Sequence, residues 1–213
     1  MAAFFGKRLA EHSAILSISL KRRPARPKQA MTSTAVTTPT QLRVERVKSP
    51  LGEIFIASKD GAICDLEFAD TEERMKKLLA RHFGEVELLP AKSGEFAKAL
   101  SAYFDGDVHA IDDLPVKTNG TPYQERAWAA LRRIPAGETR SYGEQARDIG
   151  EPKGARAVGL ANHLNPVGII VPCHRVIGAD GSLTGYAGGL DRKRWLLQHE
   201  AKHTSLPLFR DRK

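Results

Sequence analysis

Cysteine is scarce in this chain. Cys64 and Cys173 are the only two in 213 residues, and they lie far apart, which excludes a disulfide framework and a multi-cysteine metal site. Free thiols persist in reducing compartments, so a cytoplasmic protein is expected. Long hydrophobic runs are also missing. Nothing approaches the roughly 20 apolar residues of a membrane span, so the expectation is a soluble chain with no membrane partner. The scattered histidines offer no metal-ligand spacing. What is present is an ordinary globular composition, 41% hydrophobic and 27% charged, in a chain long enough for one large or two small domains.

The net charge of +8 is unevenly spread. Residues 1–30 hold seven Lys/Arg against one acid, residues 31–118 hold 11 against 15, and residues 119–213 hold 15 against 9. A basic C-terminal half beside an acidic body suits a polyanion-binding face, and an ordinary solvated surface explains the charge equally well.

Residues 1–40 form a leader with no means of building a core. "KRRPARPKQA" is basic and "MTSTAVTTPT" is low-complexity. An Arg-rich targeting segment fits the first thirty residues, but a disordered leader or a true start at Met31 is favoured. Residues 41–117 read as a small α+β domain. "LRVERV", "EIFIAS" and "AICDLEF" make a three-stranded meander with Ala62, Cys64, Leu66 and Phe68 on one face. Asp70 opens a helix through "ERMKKLLARHF", and "GEFAKALSAYF" is a second helix. No catalytic constellation occurs in this half.

Residues 118–204 read as a mostly helical, winged-helix-like domain, followed by a flexible tail over 205–213. Thr121 with Gln124, and Ser141 with Glu144, form capping boxes. Gly150 turns the chain, and Pro152 starts "PKGARAVGLANHL", so helix, glycine turn and helix give helix-turn-helix spacing. Gly154, Ala155, Ala157 and Gly159 make the second helix smooth around a single long side chain, Arg156. Each glycine costs a helix about 1 kcal/mol against alanine, so the smoothness serves either core packing or close approach to nucleic acid.

The stretch "NPVGIIVPCHRVIG" places Cys173 and His174 just after an apolar run, Val167 to Val171, that reads as a buried strand. A thiol reacts as its thiolate and needs a nearby base or positive charge. Neighbours on an extended chain point opposite ways, so His174 serves Cys173 only if the chain bends there or a water relays the proton. Glu200, on the last predicted helix, is a candidate to orient the histidine. Between them "GADGSLTGYAGGLDRK" is either a flexible loop or a pocket wall around Tyr186.

"VPCHRVI", with "SY" upstream, "ARAVG" and "NP" between, and "GYAGGL" downstream, closely resembles the O6-alkylguanine-DNA alkyltransferases. The resemblance spans residues 42–201 and implies direct-reversal repair. The partner is double-stranded DNA carrying O6-alkylguanine, bound in its minor groove by a monomer associated with the nucleoid. The damaged base is flipped out, and its alkyl group passes irreversibly to the protein. O4-methylthymine is left open as a second substrate. Carried over residue by residue, Cys173 accepts the alkyl group, His174 deprotonates it through a water, Glu200 orients His174, and Asn165 braces the turn. Arg156 takes the place of the flipped nucleotide, while Ala155, Ala157 and Gly159 give close groove contact. Tyr142 turns the nucleotide and donates to the leaving guanine. Val176 offers backbone to the base edge, Tyr186 lines the alkyl group, and the Ala187 and Gly188 amides face O6. The thioether product needs no metal or cofactor to form.

Two residues depart from the family pattern. Gln145 stands where an aliphatic residue is usual, under Tyr142, and Tyr123 replaces a phenylalanine expected at the domain interface. Three rivals remain at this point. A lesion-binding relative would lack the cysteine, a helix-turn-helix regulator would need a further domain, and a Cys-His hydrolase would leave the Arg156 helix unexplained.

Overall fold

The computed structural model describes residues 38–204. The tail and all but the last three residues of the leader lie outside them. Three antiparallel strands, β1 (Thr40–Ser49), β2 (Gly52–Lys59) and β3 (Ala62–Phe68), form the meander. A fourth strand that the sequence reading passed over, β4 (Val86–Pro90), pairs parallel with β1, giving the order β3-β2-β1-β4. It is short and ends on a proline, so it carries little periodic signal. Helix α1 (Glu72–Phe83) covers one face of the sheet and α2 (Glu95–Phe104) the other.

The expected placement of Ala62, Cys64, Leu66 and Phe68 on one face is corrected. Register slips between Ala57, opposite Asp65, and Ser58, opposite Ile63, leaving Cys64 as the extra residue of a β-bulge. A bulge breaks the period of two. Cys64 therefore packs with Met75 and Leu79 of α1, whereas Leu66 and Phe68 join the core shared with the C-terminal half. Asp70 does not cap α1 either. Its carboxylate pairs with Arg192, 2.9 Å away in the last helix.

Both predicted capping boxes form, at the starts of α3 (Pro122–Leu131) and α4 (Tyr142–Asp148). Gly150 turns the chain at φ +80°, and α5 (Ala155–His163) follows. This helix starts three residues later than expected, because residues 151–154 close a turn through Gly154 N–H to Glu151 O at 2.7 Å. A Cβ on Gly154 would stand 2.9 Å from that same oxygen, so glycine makes this entry possible. The Trp128 indole donates to Ala161 O at 2.9 Å and ties α5 to α3. A short parallel pair, β5 (Arg140–Ser141) with β6 (Val176–Ile177), and the helix α6 (Leu190–His203) complete the fold.

The apolar run at 167–171 is not a strand. It is a buried turn in which Ile169 takes φ +67°, Ile170 N–H donates to Gly168 O and Val171 N–H to Val167 O. A short apolar run reads alike for a strand and a buried turn. Only one strand-like link remains, Leu66 N–H to Pro166 O at 2.8 Å, and it joins β3 to the turn.

Tyr123 meets groups of its own half. Its hydroxyl sits by Gly154, where a Cβ would be 3.5 Å away, and its ring lies under Arg126. Gln145 is buried and fully occupied. Its amide donates to Ala127 O at 3.0 Å and exchanges hydrogen bonds with the Asn162 amide at 2.7 and 3.2 Å, pinning α4 to α3 and α5. Gln145→Leu should leave the Asn162 amide unsatisfied and cost about 1–3 kcal/mol. Urea denaturation would show the loss as a lower midpoint, and an unchanged midpoint would mean that the amide pair is dispensable.

Candidate active site

Cys173 opens a single turn of 3₁₀ helix, Cys173–Arg175, and the chain bends where an extended strand would not. Asn165 holds the preceding turn from both ends. It accepts from Val167 N–H at 3.0 Å and donates to Val171 O at 2.8 Å. The thiol is 9% exposed, on the wall of a cavity of about 40 Å³ lined by Tyr142, Gly159, Gly185, Tyr186 and Ala187. Burial pushes its pKa up, against the Asn165 hydrogen bond and the charges of Lys193 and Arg74. The resting thiol is therefore protonated at neutral pH and needs a base to react.

His174 is fully buried. Its Nε2 lies 2.8 Å from Glu200 Oε1, while Nδ1 has no hydrogen-bond partner in the protein. Burial lowers its pKa more than Glu200 raises it, so the ring is neutral. A neutral ring beside a carboxylate carries its proton on Nε2, which leaves Nδ1 as the basic atom.

Glu200 serves more than His174. Arg175 forks onto it, Nε to Oε2 at 3.0 Å and Nη2 to Oε1 at 2.9 Å. The Tyr103 hydroxyl donates to Oε1 at 2.9 Å and Gly137 N–H to Oε2 at 3.1 Å. Burial works to raise its pKa, but His174 and the Arg175 guanidinium hold it far below the carboxylate range. The 3₁₀ turn lets two consecutive residues, His174 and Arg175, reach one carboxylate.

The pocket loop is held from behind. Lys193, fully buried on α6, donates to Val176 O at 2.6 Å and Thr184 O at 2.5 Å, and burial brings its pKa down to about 8. Arg192 donates to Gly188 O at 3.1 Å and lies over the Phe68 ring. A Cβ on Gly188 would stand 2.9 Å from Phe68, so only glycine lets the loop pack that closely. From the N-terminal half, Arg74 donates to His163 O and Asn165 O and pairs with Glu67.

Most residues singled out in the sequence gather at this pocket, in different ways. Cys173, Tyr142, Gly159, Tyr186 and Ala187 line it, Asn165 holds the turn before the thiol, and His174 pairs with Glu200 on the 3₁₀ turn that Cys173 opens. The Tyr142 hydroxyl donates to Thr184 O at 3.2 Å across the cavity mouth. The Val176 and Gly188 carbonyls are taken by Lys193 and Arg192. Arg156 and Ala157 are exposed on α5, Ala155 is half-buried, and Leu160, 61% exposed, continues the same face. Tyr103, Arg175 and Lys193 escaped the sequence reading. Lys193 had a signal, since it stands at helical spacing with Leu196, Leu197 and Glu200 on a buried face.

Comparison with known proteins matches both halves. Residues 42–118 match the ribonuclease-like domain, and residues 122–202 the DNA binding domain, of 6-O-methylguanine DNA methyltransferase. The methylated-DNA–protein-cysteine methyltransferase of Shigella flexneri is 43% identical over 170 residues, covering 75% of this chain and 96% of its own. That of Mycolicibacterium paratuberculosis is 47% identical over 165 residues, covering 76% and 96%. The crystal structure of the Mycobacterium tuberculosis O6-methylguanine methyltransferase superposes with a TM-score of 0.64 at 40% identity, covering 76% of this chain and 94% of that one. The same protein's complex with DNA gives 0.64 at 40% identity, covering 78% and 95%. With both halves matched in order and most of each relative covered, the chain belongs to the 6-O-methylguanine DNA methyltransferase family.

Proposed function

We propose that this methylated-DNA–protein-cysteine methyltransferase takes O6-methylguanine from duplex DNA into the pocket beside Cys173 and keeps the methyl group. The carrying observation is one buried thiol followed in the chain by a neutral imidazole whose Nδ1 has no partner and whose Nε2 meets a carboxylate held by donors from four residues. His174 Nδ1 receives the Cys173 proton through a water. Sγ attacks the methyl carbon in line, the S–C bond forms as the C–O6 bond breaks, and the electron pair leaves on guanine. Tyr142 and the loop amides stabilise that departing anion by hydrogen bonding, and the proton held by His174 returns to the base. No group in the site cleaves a thioether, so each molecule acts once.

The cavity beside Cys173, about 40 Å³ and open to solvent, is where the flipped base would enter, past Tyr142 and the loop at Gly185–Ala187. On the DNA side, α4 and α5 act as a helix-turn-helix at the minor groove, with the smooth Ala155–Gly159 surface allowing close approach. Arg156 fills the gap left by the extruded nucleotide.

The test is mass spectrometry after incubation with a duplex carrying one O6-methylguanine. The expected result is one added methyl per protein, on the Cys173 peptide and not on Cys64. Tight binding with Cys173 unmodified would replace transfer by lesion recognition alone. Arg156→Ala should slow transfer from duplex about tenfold or more while leaving transfer from the free base O6-methylguanine unchanged, because only the duplex requires extrusion. Equal rates on duplex would remove Arg156 from that role.

A further inference from the structure

We propose that Tyr103, on α2 of the N-terminal half, is a positioning residue for the transfer reaction, fixing the carboxylate that orients His174. The inference rests on the reading of His174 and Glu200 given above. Among the described residues, Tyr103 is the one donor to that carboxylate from outside the C-terminal half, 97 positions before Glu200 in sequence. Its side chain has no exposure, and its hydroxyl meets Glu200 Oε1 at 2.9 Å. The same oxygen takes His174 Nε2 at 2.8 Å and Arg175 Nη2 at 2.9 Å. Three donors thus share one oxygen, and what Tyr103 withdraws is not available to His174.

The ring is seated for this duty. Phe104 meets it edge-on at 5.3 Å, and His199 of α6 packs at 5.3 Å while its Nε2 lies 2.7 Å from the Tyr103 carbonyl. Burial and the neighbouring carboxylate raise the phenol's pKa, so it stays a neutral donor. The sheet domain thereby contributes a hydrogen bond to the site as well as a core.

Tyr103→Phe keeps the ring and removes only the donor. Single-turnover methylation of Cys173 on the lesion duplex, followed from acid to alkaline pH, should show three things. The rate constant at saturating DNA falls about tenfold, as expected for a hydrogen bond to a charged group. The half-saturating DNA concentration stays the same. The acid limb moves to higher pH, because Glu200 then holds a proton on His174 more strongly. The groups facing His174 are Glu200 and Lys193 of α6, Arg175 and Cys173 of its own turn, and Tyr186 of the pocket loop, and none of them is altered. An unchanged rate and limb would overturn the proposal.

Phe104→Leu loosens the same packing without touching Glu200, so it should lower Tm and leave the acid limb in place. A shift there as well would reduce Tyr103 to a packing residue. In a Glu200→Gln background the Tyr103→Phe effect should shrink to less than about twofold, since a residue acting through Glu200 loses its lever. An equal loss in both backgrounds would also overturn it. Should the unaltered protein fail to methylate Cys173 at all, the transfer reading itself falls, a result distinct from a failure confined to Tyr103.

Discussion

Cys173→Ala should transfer no methyl group at all, yet bind the lesion duplex within about twofold of the unaltered protein. The thiol is the one sulfur nucleophile on the cavity wall; the His163 imidazole and the Tyr142 and Tyr186 phenols that also line it are poorer nucleophiles toward an alkyl carbon. Cys64 cannot substitute for it, because it has no exposure, lies among α1 side chains, and burial pushes its pKa up to about 11. Binding survives because the exposed face of α5 is built by α3 and α4 through Trp128 and Gln145, not by the thiol. Fluorescence anisotropy with a labelled duplex reads the binding, and intact-mass measurement reads the transfer. Residual methylation of the variant, on any residue, would refute the assignment of the acceptor.

Glu200→Gln should be the most damaging single change that keeps the side chain's shape. Arg175 is 3% exposed, and among the described residues Glu200 is the one carboxylate it pairs with. Removing one partner of a buried ion pair leaves an uncompensated charge and costs about 3–5 kcal/mol. The new amide keeps one acceptor oxygen but replaces the other with a donor, so either Arg175 Nε and Gly137 N–H, or Tyr103, His174 and Arg175 Nη2, face an N–H instead of an oxygen. Loss of the oriented base should lower the transfer rate a hundredfold or more, by the usual scale of acid–base catalysis. Denaturant titration and single-turnover kinetics check the two effects separately, and a variant both near-normal in midpoint and fast would contradict the network.

The pH dependence of stability follows from the same residue. The folded-state pKa of Glu200 is depressed, so its contribution is complete above the unfolded carboxylate value near 4.3 and is lost as pH falls toward the folded value. His174 acts in the same direction. Its pKa is also lowered in the folded state, so acid favours the unfolded chain from about pH 6.5 downward. Glu200→Gln should therefore be not only less stable but also flatter in its acid dependence than the unaltered chain.

Much of this protein is written locally. The capping boxes at Thr121 and Ser141, the glycine turn at 150 and the smooth stretch around Arg156 are decided by residues within one turn of each other. They read correctly because hydrogen bonds between near neighbours do not wait for the rest of the fold. The family motifs are equally local, and they pointed to the pocket through Cys173, Asn165 and Tyr186.

What the chain's order conceals is decided by distant contacts. Val167–Val171 has strand composition and becomes a turn, because Leu66 of β3, a hundred positions earlier, donates to the Pro166 carbonyl at its start while the Asn165 side chain captures both of its ends. Cys64 changes face because β3 slips against β2. Gln145, an apparent misfit, is satisfied by Asn162 seventeen residues away. The hydrogen-bond network around Glu200 joins Tyr103, Gly137, His174, Arg175 and Glu200 across 97 positions. A sequence declares which groups are available for such a network. Only packing that excludes water decides which of them meet, because a buried carboxylate keeps its charge only where enough donors converge on it.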